Sequence, residues 1–145
     1  MSVETARARF PRGLAQPADG HRFGADALLL ACFAHPGRGP VLDLGAGAGA
    51  VGLGLGLRGP ELALAGLELD PEMLGYAVEN ARRLGMDSRY LPLRGDVRAV
   101  REAVPAESFG QVVCNPPWLR PGRGRASPDP GRERARAEIE ATLDD

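Results

Sequence analysis

Lysine is absent: all 18 basic residues are arginine. Beside 20 glycines and 13 prolines this fits a GC-rich coding sequence, so the arginine content alone names no partner. Cysteine is scarce. Cys32 and Cys114 are too few for a disulfide framework, and no CxxC or Cys/His cluster suggests zinc. No apolar run reaches the roughly 18 residues of a membrane helix, which excludes an integral helical membrane protein. The opening MSVETARARF has no apolar signal-peptide core, so a cytoplasmic location is expected. Aromatic residues are 5% of the chain, yet 43% is hydrophobic and 26% charged, a globular composition. With 145 residues the chain is expected to be a single domain over 1–145. That length buries roughly 68–70% of the unfolded surface, so a core needs no staples.

The net charge of −1 is unevenly spread. Residues 118–136 hold six arginines against two acids, and residues 137–145 hold four acids and no arginine. The stretch 118–136 is also rich in proline and glycine and reads as a mobile loop. Residues 1–22 read as polar and irregular, because Pro11, Gly13, Pro17 and Gly20 break any periodicity. A helix is predicted from Ala25 to Ala34 with Asp26 as a plausible cap. Strands are predicted at Val41–Leu44, Leu62–Glu68, Tyr90–Leu93 and Gln111–Cys114. Helices are predicted from Ala50 to Leu57, from Pro71 behind an Asp70 cap to a stop at Gly85, and from Val97 to Val104. Alternating strands and helices predict an α/β fold with a parallel sheet. Ligands of such sheets bind beyond the carboxyl ends of the strands. Gly45, Glu68, Asp96 and Asn115 each follow or close a different strand, so one crevice can gather them.

Gly45, Gly47 and Gly49 alternate directly after the first strand. Glycine lets backbone approach a ligand and tolerates positive φ, and the loop leads into a helix N-terminus. The same loop also satisfies the GxGxxG pattern, with Glu68 near the spacing of an acid on ribose hydroxyls, so NAD is a rival cofactor. Asp43, two residues before the first glycine, argues for a different loop; its structural alternative is a core-edge acid capping local amides. Glu68 can accept two ribose hydroxyls at once, and Asp70 before Pro71 suits a cap. Asp96 either faces an adenine amino group or caps the helix at Val97.

Asn115-Pro116-Pro117-Trp118 is the most specific motif, with a chance frequency on the order of 10⁻³ in this composition. An exocyclic amino group is a poor nucleophile because its lone pair is shared with the ring. The Asn115 side-chain carbonyl and the Pro116 backbone carbonyl can accept its two N–H bonds, and those bonds strengthen as nitrogen becomes tetrahedral. Proline has no N–H and stiffens the turn. Trp118 offers a face on which a flipped base can stack.

These residues resemble the class I methyltransferases, whose loop pattern is DxGxGxG, and among them the NPPY/NPPW adenine-N6 enzymes. The likeness is to the bacterial tRNA1(Val) adenine-37 N6-methyltransferase family. Gln16-Pro17, the run His21 to Leu30, VLDLGAGAGAVGL, LELDPE, Gly95-Asp96 and CNPPW follow in that family's order across roughly residues 14–140. The resemblance implies a Rossmann-like fold and S-adenosyl-L-methionine as cofactor. It implies Phe23 and Asp26 near the methionine part, Asp43, Gly45, Gly47 and Gly49 around it, Glu68 at the ribose, and Leu69 among the cofactor-binding residues. It further implies Asp96 near the adenine, and Asn115, Pro116, Pro117 and Trp118 at the target, with Asn115 also near the cofactor. No metal is implied. The aromatic is Trp rather than the commoner Tyr.

The resemblance also implies a longer chain, with three further strands, so the sheet is expected to stop at strand four. That leaves Gln111–Cys114 as an edge expected to pair with a second copy or a complementing C-terminal half. The expected activity is methylation of an exocyclic amino group, adenine N6 in tRNA. Its rivals are guanine N2 in ribosomal RNA, glutamine N5 in a protein, an NAD-dependent reaction, and a cofactor-binding fragment without activity. Arg120, Arg123, Arg125, Arg132, Arg134 and Arg136 suit RNA phosphates, against the alternative of a solvated loop.

Overall fold

The computed structural model describes residues 1–19 and 22–116. Four strands form one parallel sheet: β1 (Val41–Leu44), β2 (Leu64–Glu68), β3 (Tyr90–Arg94) and β4 (Gln111–Cys114), in the order β3-β2-β1-β4. Among the described residues five α-helices accompany them: α1 (Val3–Ala8), α2 (Ala25–Phe33), α3 (Ala50–Arg58), α4 (Pro71–Arg83) and α5 (Val100–Ala103). Val41 pairs with Leu64 on one side and Gln111 on the other, and Leu44 with Leu67 and Cys114, so the three strands end level. This is the Rossmann-like α/β architecture expected, with β4 at one edge of the four strands.

Strand periodicity builds two cores. Val41, Leu64, Tyr90 and Val113 face α1, α2, α3 and α4, where Leu53, Leu55, Leu84 and Met86 are fully buried. Each such side chain contributes roughly 1.5–3 kcal/mol by leaving water. Leu42, Ala65 and Leu67 face the opposite way, toward Leu93, Val97, Val100 and Phe109. This second face is thinly covered, leaving Leu91 and Val112 more than half exposed.

Several boundaries differ from the sequence reading. The stretch 1–22 is not all irregular: α1 forms because the Ser2 hydroxyl accepts the Thr5 amide at 3.2 Å and Ala6 is buried. The Arg7 guanidinium then ties this helix to the Leu84 carbonyl at 2.8 Å. Strand β2 starts at Leu64 rather than Leu62, because the Leu62 amide closes a turn onto the Gly59 carbonyl. Helix α2 is capped by Gly24 without a side-chain bond, not by Asp26. The helix predicted over Val97–Val104 opens as a 3₁₀ turn, Val97–Ala99, before α5. Helix α4 behaves as read: the Asp70 carboxylate accepts the Glu72 amide at 2.8 Å, Pro71 follows the cap, and Gly85 at φ 65° ends the run.

Candidate active site at the carboxyl ends of the strands

β1 is followed by a loop in which Gly45, Gly47 and Gly49 have φ of 67°, 54° and 83°. These values lie in the left-handed region, which a residue with a Cβ enters only at a cost. The alternation turns Ala46 and Ala48 into the core while backbone faces outward. A Cβ on Gly45 would meet nothing within 4 Å, so the loop fronts open space there. Gly49 is the N-cap of α3, whose first amides point the same way.

Asp43 lies beneath this loop, 2% exposed. One of its oxygens accepts the Gly52 amide of α3 at 2.7 Å. The approach needs glycine at 52, since a Cβ there would stand 3.0 Å from that oxygen. Burial pushes the Asp43 carboxyl up to about 7, against the pull of the Gly52 bond and with the help of the Glu68 charge. The capping alternative is therefore realised in this geometry. Tyr90 is buried nearby; its hydroxyl has no hydrogen-bond partner among the described residues and sits where a Cβ on Gly66 would collide.

At the end of β2, Glu68 accepts the Gly47 amide at 2.8 Å and the Asp70 amide at 2.9 Å. Leu69 is exposed beside it. After β3, Asp96 caps the 3₁₀ turn through the Arg98 amide at 2.9 Å and pairs with the Arg98 guanidinium at 2.5 Å. These bonds hold its carboxyl below the usual carboxylate range. Here too the cap is what the side chain makes.

β4 belongs to the other half of the sheet. The chain builds outward from β1 through β2 to β3, then returns to place β4 on the far side of β1. The switch in direction lies between β1 and β4, where open α/β sheets place their ligands. The glycine loop follows one of these strands and Asn115-Pro116 the other. The Asn115 amide nitrogen donates to Asp26 Oδ2 at 2.6 Å, joining the end of β4 to the first turn of α2. Phe23 packs its ring partly against the main core. Pro117 and Trp118, with the arginines of 118–136, lie outside the described residues.

One residue escaped the sequence reading. Asn80 on α4 is fully buried. Its side chain accepts the Ala15 amide at 2.6 Å and donates to the carbonyls of Ala15 and Ala48 at 2.8 and 2.9 Å. It thus binds the segment before α2 to the glycine loop. The signal was present: a polar residue on the apolar stripe of Ala77, Ala81 and Leu84 must bury its amide and needs partners.

A model of the methyltransferase small domain family matches residues 23–126. The chain belongs to that family. It is 30% identical over 131 residues to a tRNA1(Val) (adenine(37)-N6)-methyltransferase of Porphyromonas gingivalis, covering 84% of this chain and 49% of that protein. A protein of the same description from Glaesserella parasuis is 30% identical over 117 residues, covering 80% and 48%. The chain thus spans about half the length of the curated relatives it matches. Among solved structures, TrmN from Thermus thermophilus has a TM-score of 0.53 at 28% identity, covering 63% of this chain and 27% of that one. A human methyltransferase 10 domain containing protein has a TM-score of 0.59 at 20% identity over 81% and 62% of the two chains, a likeness of fold.

Membership of this methyltransferase family implies S-adenosyl-L-methionine as the cofactor. The residues present fit it: a loop of left-handed glycines fronting open space, a helix N-terminus behind it, and Glu68 beside it on β2.

Proposed function

We propose that this chain is an S-adenosyl-L-methionine-dependent methyltransferase domain acting on an exocyclic amino group, adenine N6 in tRNA. The observation that carries the reading is that Asn115-Pro116 and the glycine loop follow neighbouring strands, β4 and β1, on the two sides of the switch point. A nucleoside cofactor on one side and an amino-group acceptor pair on the other is what such a transfer requires. When bound, the cofactor supplies an electrophilic methyl group. The protein's share is positional. The loop amides and Glu68 hold the nucleoside and its ribose. The Asn115 and Pro116 carbonyls accept the two N–H bonds of the target nitrogen and strengthen as it becomes tetrahedral. No general base has to act first, because the nitrogen sheds its proton after it has been alkylated. Trp118 stacks the flipped base, and the arginines between 118 and 136 take RNA phosphates. The relatives named as tRNA1(Val) adenine-37 methyltransferases support this substrate over guanine N2 or a protein glutamine.

A second reading has its own observation. With the chain at about half its relatives' length and β4 at the edge of the sheet among the described residues, the domain binds cofactor and turns over only with a complementing half or a second copy.

The test is to incubate the purified chain with methyl-labelled cofactor and unmodified tRNA, then digest the RNA and separate the nucleosides. N6-methyladenosine supports the first reading. Label in N2-methylguanosine, or in protein glutamine when protein is supplied, replaces the substrate. Cofactor binding without transfer supports the second.

A further inference from the structure

Helix α2 and strand β4 are joined at both ends. At the start of β4 the Gln111 side chain accepts the Gly37 amide at 3.1 Å, just beyond the exit of α2. At the end of β4 the Asn115 amide reaches Asp26 in the first turn of α2. Between these points α2 is fixed independently. The Arg58 guanidinium donates to the carbonyls of Ala31 and Ala34 at 2.8 and 2.6 Å, and Gly54 of α3 admits Ala31 so closely that a Cβ would stand 2.8 Å from it. The helix therefore does not need Asp26 to keep its place.

Asp26 is an acid at the second position of its helix, where an anion is favourable, yet it does not cap the helix. Its Oδ1 lies over Gly24, close enough that a Cβ at 24 would collide with it, while Oδ2 takes the Asn115 amide. A carboxylate accepts hydrogen bonds and has none to give, so an amide facing it must offer its NH2. The two ends of an Asn amide are nearly isosteric, and only their partners decide which way they face.

We propose that Asp26 is a positioning residue: by taking the Asn115 NH2 it turns the Asn115 carbonyl oxygen away from α2, as the acceptor for the target amino group. This rests on the reading that Asn115 holds that group. A flipped Asn115 presents donors to a target that is itself a donor, and the methyl acceptor is then repelled. Asp26 thus acts through Asn115, 89 residues along the chain, and not through the cofactor contact that the family resemblance implies.

The chain has two asparagines and two glutamines, so side-chain amide signals are few and assignable by NMR. In Asp26→Ala the Asn115 NH2 signals should shift and exchange faster with water, while those of Asn80 stay. Unmoved Asn115 signals overturn the proposal, whatever the reaction proves to be. In methyl transfer, Asp26→Ala should lower kcat roughly tenfold or more, as expected for losing one charged hydrogen bond, with KM for S-adenosyl-L-methionine unchanged. Asp26→Asn keeps an acceptor and should restore part of that loss. In an Asn115→Ala background Asp26→Ala should cost nothing further. Independent losses, or a loss confined to cofactor KM, overturn the positioning role. A wild-type chain without turnover strikes the first reading of its function, that it acts alone, and the amide spectrum still decides the orientation.

Discussion

Glu68 grips the Gly47 amide at 2.8 Å, so the acid at the end of β2 holds the loop that follows β1. Its other oxygen holds the Asp70 amide at the start of α4. The side chain read as a ribose ligand is therefore also a brace for the glycine loop. Glu68→Ala should weaken S-adenosylhomocysteine by about 1.5–3 kcal/mol in calorimetry, since charge-assisted bonds are lost. It should also lower Tm without ligand. An unchanged affinity would move the ribose site elsewhere.

Asn80 makes its three bonds with no exposure to water. Asn80→Ala strands the buried carbonyl of Ala48 and the half-buried amide and carbonyl of Ala15. The expected cost is about 2–4 kcal/mol in urea unfolding, from unsatisfied buried groups. A loss below about 0.5 kcal/mol would mean that water reaches these groups.

Asp43 sets a pH dependence of known sign. Its folded carboxyl titrates at about 7 against an ordinary 3.8, so between these values the folded chain binds the proton and the unfolded chain does not. Stability from this group is full below the ordinary value, falls as pH rises through the window, and is flat above about 7. The slope approaches about 1.4 kcal/mol per pH unit. Glu79 and Asp96 are pushed down instead, so their contributions are lost toward acid, on the other side of the window. Glu68, Tyr90 and Cys114 surround Asp43 and share its field. Asp43→Asn keeps a carbonyl for the Gly52 amide and cannot ionise. Its stability advantage over wild type should grow from pH 4 to 7 in matched urea titrations; parallel curves would refute the shift.

Gly54 reverses the usual helix rule. In a free helix Gly→Ala gains roughly 1 kcal/mol. Here the new Cβ would stand 2.8 Å from Ala31 Cβ, and overpacking costs about 1–3 kcal/mol. Gly54→Ala should therefore be destabilising by about 1 kcal/mol on balance, and a rise in Tm would show that α2 yields.

On the proposed reaction, Asn115→Ala removes one acceptor of the target amino group. Turnover should fall by roughly 10²–10³, as for an oxyanion-hole donor, with S-adenosylhomocysteine affinity nearly intact. Normal turnover would remove Asn115 from the chemistry.

Much of this was legible from local patterns. VLDL running into alternating glycines specified β1 and its loop, because period-two apolarity and positive φ both leave marks in sequence. Asp70-Pro71 marked its helix for the same reason. The N-terminal helix α1 left little mark: six residues with one buried alanine have no periodicity, and the Ser2 cap is joined by a bond from Arg7 to the distant Leu84 carbonyl. The caps at Asp43 and Asp96 were ambiguous because a carboxylate suits a ligand and an amide equally. The pairing of Asp26 with Asn115 was invisible, since two polar residues 89 positions apart meet only once β4 has joined β1.

The strand order has a consequence in time. The glycine loop, Glu68 and Asp96 follow strands that succeed one another along the chain, whereas Asn115 arrives with the last of the described strands, which docks beside the first. During synthesis the half of the crevice built by the glycine loop and Glu68 can form while the ribosome still holds Asn115. A cofactor bound that early would act as a template, presenting a completed β1 edge to β4, so cofactor supply would bear on the yield of folded protein before it bears on any rate.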